Sequence, residues 1–194
     1  MKELLAILLL VVVVGMIYNK ISKDSKYTTA SSTINDKSYT VRKLPDKQAA
    51  ANKLATISMS LSKLVKHVKQ DKSLNRYKGI QQLARKFNPN NLTENAPGGK
   101  YTAYSVNKGE QLSLCLRNVE DNTFIDNNTI YFVAIHELAH IMTDEIGHTP
   151  KFWSNMKYLL EKAHEIGIYT PVDYSISPVN YCGKEVKTTP YEFR

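Results

Sequence analysis

Residues 136–140 read His-Glu-Leu-Ala-His, inside an apolar run that begins at Tyr131-Phe132-Val133-Ala134-Ile135 and continues through Ile141-Met142. The pattern is helical, and His136 and His140 stand at i and i+4, so their side chains leave one face about a turn apart. That spacing lets two imidazoles grip one zinc ion while Glu137 sits beside the metal's open position. Asp126-Asn127-Asn128-Thr129 offers several N-caps, and Gly147 is a natural stop, which predicts a helix over Thr129–Ile146. The bland alternative is a helix with two surface histidines and an incidental glutamate.

A catalytic zinc takes three protein ligands and leaves one position open. His148 is the best third candidate, because Gly147 lets the chain turn back after the helix. Glu161 or Glu165, on the helix predicted from Pro150 or Lys151 to Ile166, are the rivals. In this arrangement Glu137 acts as general base towards the attacking water, and the metal polarises the scissile carbonyl. His67 and His164 read as surface or packing residues, and Asp144 and Glu145 as ordinary helix-surface acids. Tyr174 and Tyr181 are both candidates to assist the oxyanion, and spacing alone does not choose between them.

The stretch Val133-Ala134-Ile135-His136-Glu137-Leu138-Ala139-His140, followed by Gly147-His148-Thr149-Pro150-Lys151-Phe152-Trp153, resembles the zinc-binding signature of the WLM and SprT-like metallopeptidases. Those families carry a His-Glu-Leu-x-His helix, a third histidine and a downstream aromatic pair. The resemblance implies that His148 is the third ligand, that Phe152 and Trp153 pack beneath the site, and that one catalytic Zn2+ is bound. An astacin-like pattern does not fit, since His148 comes two residues too late. Members that cut proteins crosslinked to DNA carry additional DNA- or partner-binding segments, and this chain shows no zinc ribbon. The resemblance therefore supports the peptidase chemistry and not that substrate. Short single-domain relatives occur in bacteria and in large DNA viruses.

Leu4–Tyr18 is apolar throughout apart from Gly15. As a helix it is roughly 22 Å long, short of a ~30 Å hydrocarbon core, with Lys2, Tyr18 and Lys20 placed to snorkel and Ile21 to extend it. No small-x-small cleavage site follows, so the sequence predicts an uncleaved single-pass anchor over residues 1–21 rather than a signal peptide. Lys20, Lys23 and Lys26 follow the span and favour a cytosol-facing domain; a virion membrane is the other location considered. Residues 22–44, rich in Ser, Thr, Lys and Asn, read as a flexible polar and basic tether.

Net charge is +8, and it is uneven. Residues 20–90 hold sixteen Lys and Arg against four Asp, while residues 91–194 hold nine against thirteen Asp and Glu. The basic half suits anionic lipid or, with less support, nucleic acid; a solvated lysine face explains most of it equally well.

Within the predicted domain, residues 45–194, Asp46 caps a long amphipathic helix with Leu54, Ile57, Leu61, Leu64, Val65 and Val68 on one stripe. A short helix is expected from Tyr77 to Phe87. Tyr101–Val106 and Gln111–Arg117 form a hairpin through Asn107-Lys108-Gly109, and the second of these strands is read either as a substrate-binding edge or, equally, as a central strand. From Ile168 the chain reads as an extended wrap. Cys115 and Cys182 lack metal-pair spacing, and the sequence leaves open whether they join.

The sequence thus predicts an α+β fold: a small zincin-like domain with a short antiparallel sheet or hairpin behind an N-terminal transmembrane helix. Its expected function is a membrane-anchored zinc endopeptidase acting on a protein or peptide substrate. The alternative is a structural or interaction protein of a membrane or virion that uses the zinc fold as a scaffold.

Overall fold

A computed structural model describes residues 7–16, 26–72, 77–98 and 101–193 of the 194-residue chain. Residues 7–16 form a helix (α1) whose ten residues are all exposed. Among the described residues no helix is long and apolar enough to cross a membrane. The expected 1–21 span is therefore not borne out, and its two ends lie outside the described residues.

The tether expected over residues 22–44 gives way to structure from Tyr27 onward. Strands β1 (Tyr27–Ser31) and β2 (Ser38–Arg42) pair antiparallel and form one side of a five-stranded sheet. Their polar residues alternate with Ala30, Tyr39 and Val41, all buried, so a period-two pattern lay beneath the polar composition. The remaining strands are β3 (Leu92–Asn95), β4 (Ala103–Val106) and β5 (Gln111–Cys115), in the order β1-β2-β3-β5-β4. Both β2–β3 and β3–β5 run parallel, so the sheet is mixed and larger than the antiparallel hairpin expected. Parallel neighbours need a crossover, and here α2 (Lys47–Val68) and α3 (Tyr77–Lys86) supply it between β2 and β3.

Helix α2 buries Leu54, Ile57, Leu61, Leu64 and Val68, the stripe expected from sequence, against β1, β2 and β3. Helix α4 (Asn127–Met142) lies against β4 and β5, and α5 (Pro150–Glu165) packs on α4 and α2. The C-terminal segment is more regular than the wrap expected. It buries Tyr169, Tyr174 and Tyr181 and includes a hairpin, β6 (Val179–Tyr181) and β7 (Lys184–Val186). Cys115 and Cys182 are joined, which fastens that hairpin to the interior strand β5.

Asp46 precedes α2 as expected, but its side chain does not cap the helix. It forms a two-pronged pair with Arg117, at 2.6 and 2.8 Å, which holds its carboxyl below the usual range. Arg117 is only 1 % exposed, and its Nε donates to Glu94 at 2.8 Å. The second oxygen of Glu94 accepts from the Arg42 backbone N–H at 2.7 Å, so one buried carboxylate ties β2, β3 and the end of β5. Removing one partner of a buried pair leaves the other charge stranded. Glu94→Ala is expected to cost about 3 kcal/mol in chemical denaturation. Asp46→Ala, at a half-exposed carboxylate, should cost under ~1 kcal/mol.

Candidate metal centre

Helix α4 starts at a true side-chain cap, with Asp126 accepting from the Thr129 N–H at 3.0 Å. From Thr129 to Met142 every residue is buried except Val133, His136 and His140, which are half-buried. Their spacing makes one narrow stripe, so the helix is a core element with a single line of side chains reaching the surface. The helix ends at Met142, four residues short of expectation. Thr143 is already extended, and its hydroxyl bonds back to the Ala139 carbonyl. The terminus is held from outside as well: Gln82 of α3 donates to the Ile141 carbonyl at 2.8 Å. Gly79 lets α3 approach this closely, since a Cβ there would stand 2.8 Å from the Met142 carbonyl oxygen.

Residues 143–149 then return His148 to the helix. Gly147 takes φ +84°, a conformation that suits glycine. Lys108, in the β4–β5 turn, donates to the carbonyls of Thr143 and Asp144 at 3.2 and 3.0 Å. Asn155 bonds the Thr143 hydroxyl at 2.9 Å, and Lys151 pairs with Asp144 at 2.6 Å. Helix α5 starts at Pro150, within the expected bounds, and Thr149 caps it through the Phe152 N–H. Lys108, Gln82 and Asn155 are contributors that sequence reasoning did not single out, because each acts on a backbone group distant along the chain.

The three histidines converge. Nε2 of His136 is 3.2 Å from Nε2 of His140 and 3.1 Å from Nε2 of His148, and the three candidate ligand atoms all lie within 4.8 Å of one another. Ligands of a tetrahedral zinc with bonds of ~2.0–2.1 Å sit about 3.3 Å apart, so the arrangement fits such an ion. Burial and the neighbouring imidazoles push His136 down to about 3 and His140 down to about 4, so both are neutral and free to donate lone pairs at neutral pH. Phe152, fully buried, forms the floor, with ring centroids 4.9, 4.3 and 4.7 Å from His136, His140 and His148. Trp153 was expected beneath the site as well. It is instead 37 % exposed and stands at the rim beside His148, 5.4 Å away.

Glu137 is buried next to this triad, and burial pushes its carboxyl up to about 7, partly offset by a hydrogen bond from the Ser105 backbone. The site opens into a cleft of about 910 Å³, walled by residues 101–105 on one side and 184–188 on the other. Tyr181 lines this cleft and lies within electrostatic reach of Glu137, with its hydroxyl buried. Tyr174 packs instead on Phe132, 4.6 Å between centroids, and is not part of the lining.

The rival ligands stand elsewhere. Glu165 pairs with His67 at 3.2 Å and with Lys162 at 2.7 Å, and Glu161 is exposed. Gln111–Arg117 is not a substrate-binding edge, because β5 lies between β3 and β4; β4 is the edge strand over the site.

The family model of the WLM domain matches residues 33–187. The chain belongs to the WLM domain family. WLM proteins are of metalloprotease type and zinc-dependent in general, and the cluster of His136, His140 and His148 is one that could hold a metal ion. The R325 protein of Acanthamoeba polyphaga mimivirus is 35 % identical over 182 residues, 91 % of each chain. The 136R protein of Invertebrate iridescent virus 6 is 37 % identical over 82 residues, covering 41 % of this chain and 44 % of that one. Among solved structures, Wss1 from Saccharomyces cerevisiae matches with a TM-score of 0.51 and 25 % identity, over 66 % of this chain and 87 % of that one.

Proposed function

We propose that this WLM protein is a zinc metalloendopeptidase. The observation that carries the reading is the convergence of three imidazole nitrogens, 3.1 and 3.2 Å from His136 to its partners, with buried Glu137 beside them at the floor of an open cleft. His136, His140 and His148 hold the metal. When bound, zinc supplies Lewis-acid polarisation of the scissile carbonyl and acidifies water. Glu137 takes the proton of the attacking water on its carboxylate and delivers it to the departing amine. Burial supports that role, since a carboxyl near 7 is matched to proton transfer at neutral pH. Phe152 fixes the three rings, and Thr149 and Lys108 fix the loop that presents His148.

The test is zinc content and cleavage in the full chain. Wild type should purify with one zinc and cut an unfolded protein such as casein. His148→Ala should purify without stoichiometric zinc and cut nothing, while Glu161→Gln and Glu165→Gln keep both. A metal-free wild-type chain would overturn the reading. Stoichiometric zinc without cleavage of any unfolded protein would favour the scaffold alternative.

We further propose a membrane tether at the N-terminus. Residues 7–16 are helical and every one is exposed, with Ile7 to Val14 all large aliphatics; such a surface is stable in lipid rather than water. The full chain should stay with the membrane pellet at alkaline pH, and release by carbonate would contradict a spanning anchor. The disulfide supports a domain that matures outside the reducing cytosol, opposite to the orientation that Lys20, Lys23 and Lys26 favour.

A further inference from the structure

Helix α4 brings one stripe of side chains to the surface, and the metal uses only two of its three members. His136 and His140 are ligands; Val133, one turn before His136, is the third. It is half-buried, it lines the cleft, and helical spacing sets its Cβ about 5–6 Å from that of His136. The two ends of the stripe differ in chemistry. At the His140 end the cleft is charged and open. Lys108 stands close enough to act on the charge of His140 while its Nζ bonds the carbonyls of Thr143 and Asp144, and Glu145 lines the same end. Ile146 in that loop is 92 % exposed and encloses nothing.

At the Val133 end the lining is apolar. Trp153 and Met156 stand at i and i+3 on α5 and so share one face. The Trp153 ring is 6.5 Å from that of His136, and Met156, one turn further, is fully buried and still lines the cleft. Phe132, next to Val133, is 5 % exposed, packs on Tyr174 and lines the cleft as well, so the cleft deepens here to the edge of the core. Val186 of β7 is half-buried against that core and stands on the remaining side. Glu192 pairs with Lys157, so the segment that follows β7 returns along α5 beside this face. A charged side chain held among these groups would give up its water without a partner, whereas a leucine or phenylalanine would be stabilised by leaving water.

We infer that Val133, Trp153, Met156 and Val186 form an apolar side-chain pocket beside the metal, and that it makes a large apolar residue on one side of the scissile bond the determinant of where this protein cuts. This rests on the peptidase reading and specifies its substrate. Val133 is the specificity-determining residue, because it stands nearest the metal and its size sets how much of the pocket is open. Leucine, methionine and phenylalanine are preferred there over aspartate, lysine and glycine. On the other side of the bond the charged, open end of the cleft imposes no such choice. The Cys115–Cys182 bond has a defined part, since it fixes the hairpin that carries Val186.

The test uses the zinc-loaded full chain. Casein is digested, the cut sites are mapped by mass spectrometry, and a ten-residue peptide around the most frequent cut is varied at each residue flanking the bond. In wild type, kcat/KM should favour leucine or phenylalanine over aspartate or glycine by about ten- to hundredfold at one flanking position, and vary less than threefold at the other. Val133→Phe fills the pocket from a half-exposed position. It should keep its zinc and reverse the order, so that the alanine or glycine peptide is cut faster than the phenylalanine peptide. Val133→Ala reads the same contrast in the opposite direction, with a relative gain for tryptophan, and serves if the larger side chain disturbs folding. Cut sites without an apolar bias, or a bias that neither variant moves, would overturn the inference while the peptidase reading stands. A zinc-loaded wild-type chain that cuts neither casein nor its peptides would overturn the peptidase reading with it.

Discussion

Glu137→Gln is expected to lower kcat roughly 10²–10⁴-fold while leaving zinc content and melting temperature close to those of wild type. The amide is nearly isosteric and still accepts the Ser105 backbone bond, so the buried site keeps its shape. What it loses is the ability to take a proton. KM should change little, because the deleted function acts in the transition state and not in holding the substrate. Retained turnover would remove Glu137 from proton transfer. A loss of zinc together with activity would place its role in the fold of the site instead.

Breaking the disulfide has the second large effect. It closes a loop with a sequence separation of 67, for which chain entropy gives about 4 kcal/mol of stabilisation. Cys115→Ala with Cys182→Ala should therefore lower the melting temperature by roughly 8–16 °C. Activity should fall further than stability at a temperature where the variant stays folded, because Lys184–Thr188 form one wall of the cleft and Tyr181 adjoins Cys182. A folded double variant with wild-type kcat/KM would show that the hairpin holds its place without the covalent tie. Dithiothreitol should reproduce the effect in wild type, since among the described residues there are no free cysteines.

The site was more legible in the sequence than the fold around it. His136, Glu137 and His140 are neighbours on one helix, so their geometry follows from helical periodicity, and Gly147 announces the turn that returns His148. The α2 stripe and the Asn107-Lys108-Gly109 hairpin were readable for the same reason: both are local patterns. The contributors that stayed hidden are non-local. β1 and β2 have the polar composition of a linker and become strands because Tyr39 and Val41 find the core and β3 supplies a parallel partner. Leu92–Asn95 is four residues long and includes a buried glutamate, and its partners, Arg117 and the Arg42 backbone N–H, lie twenty-three residues on and fifty-two residues back. Asp46 reads as a helix cap by local rules, yet Arg117 takes its carboxylate. The end of α4 was misplaced because Thr143 can satisfy the Ala139 carbonyl itself, which stops the helix before the glycine does. Trp153 follows Phe152 in sequence, but adjacent helical residues point in different directions, so only Phe152 reaches beneath the histidines.

X-ray absorption at the zinc edge of the purified full chain, with His148→Ala beside it, tests the central claim most directly. Wild type is expected to hold one zinc per chain with three imidazole nitrogens and one oxygen ligand at about 2.0–2.1 Å, and His148→Ala to lose the third imidazole. A chain without zinc, or a wild-type spectrum unchanged by His148→Ala, would contradict it.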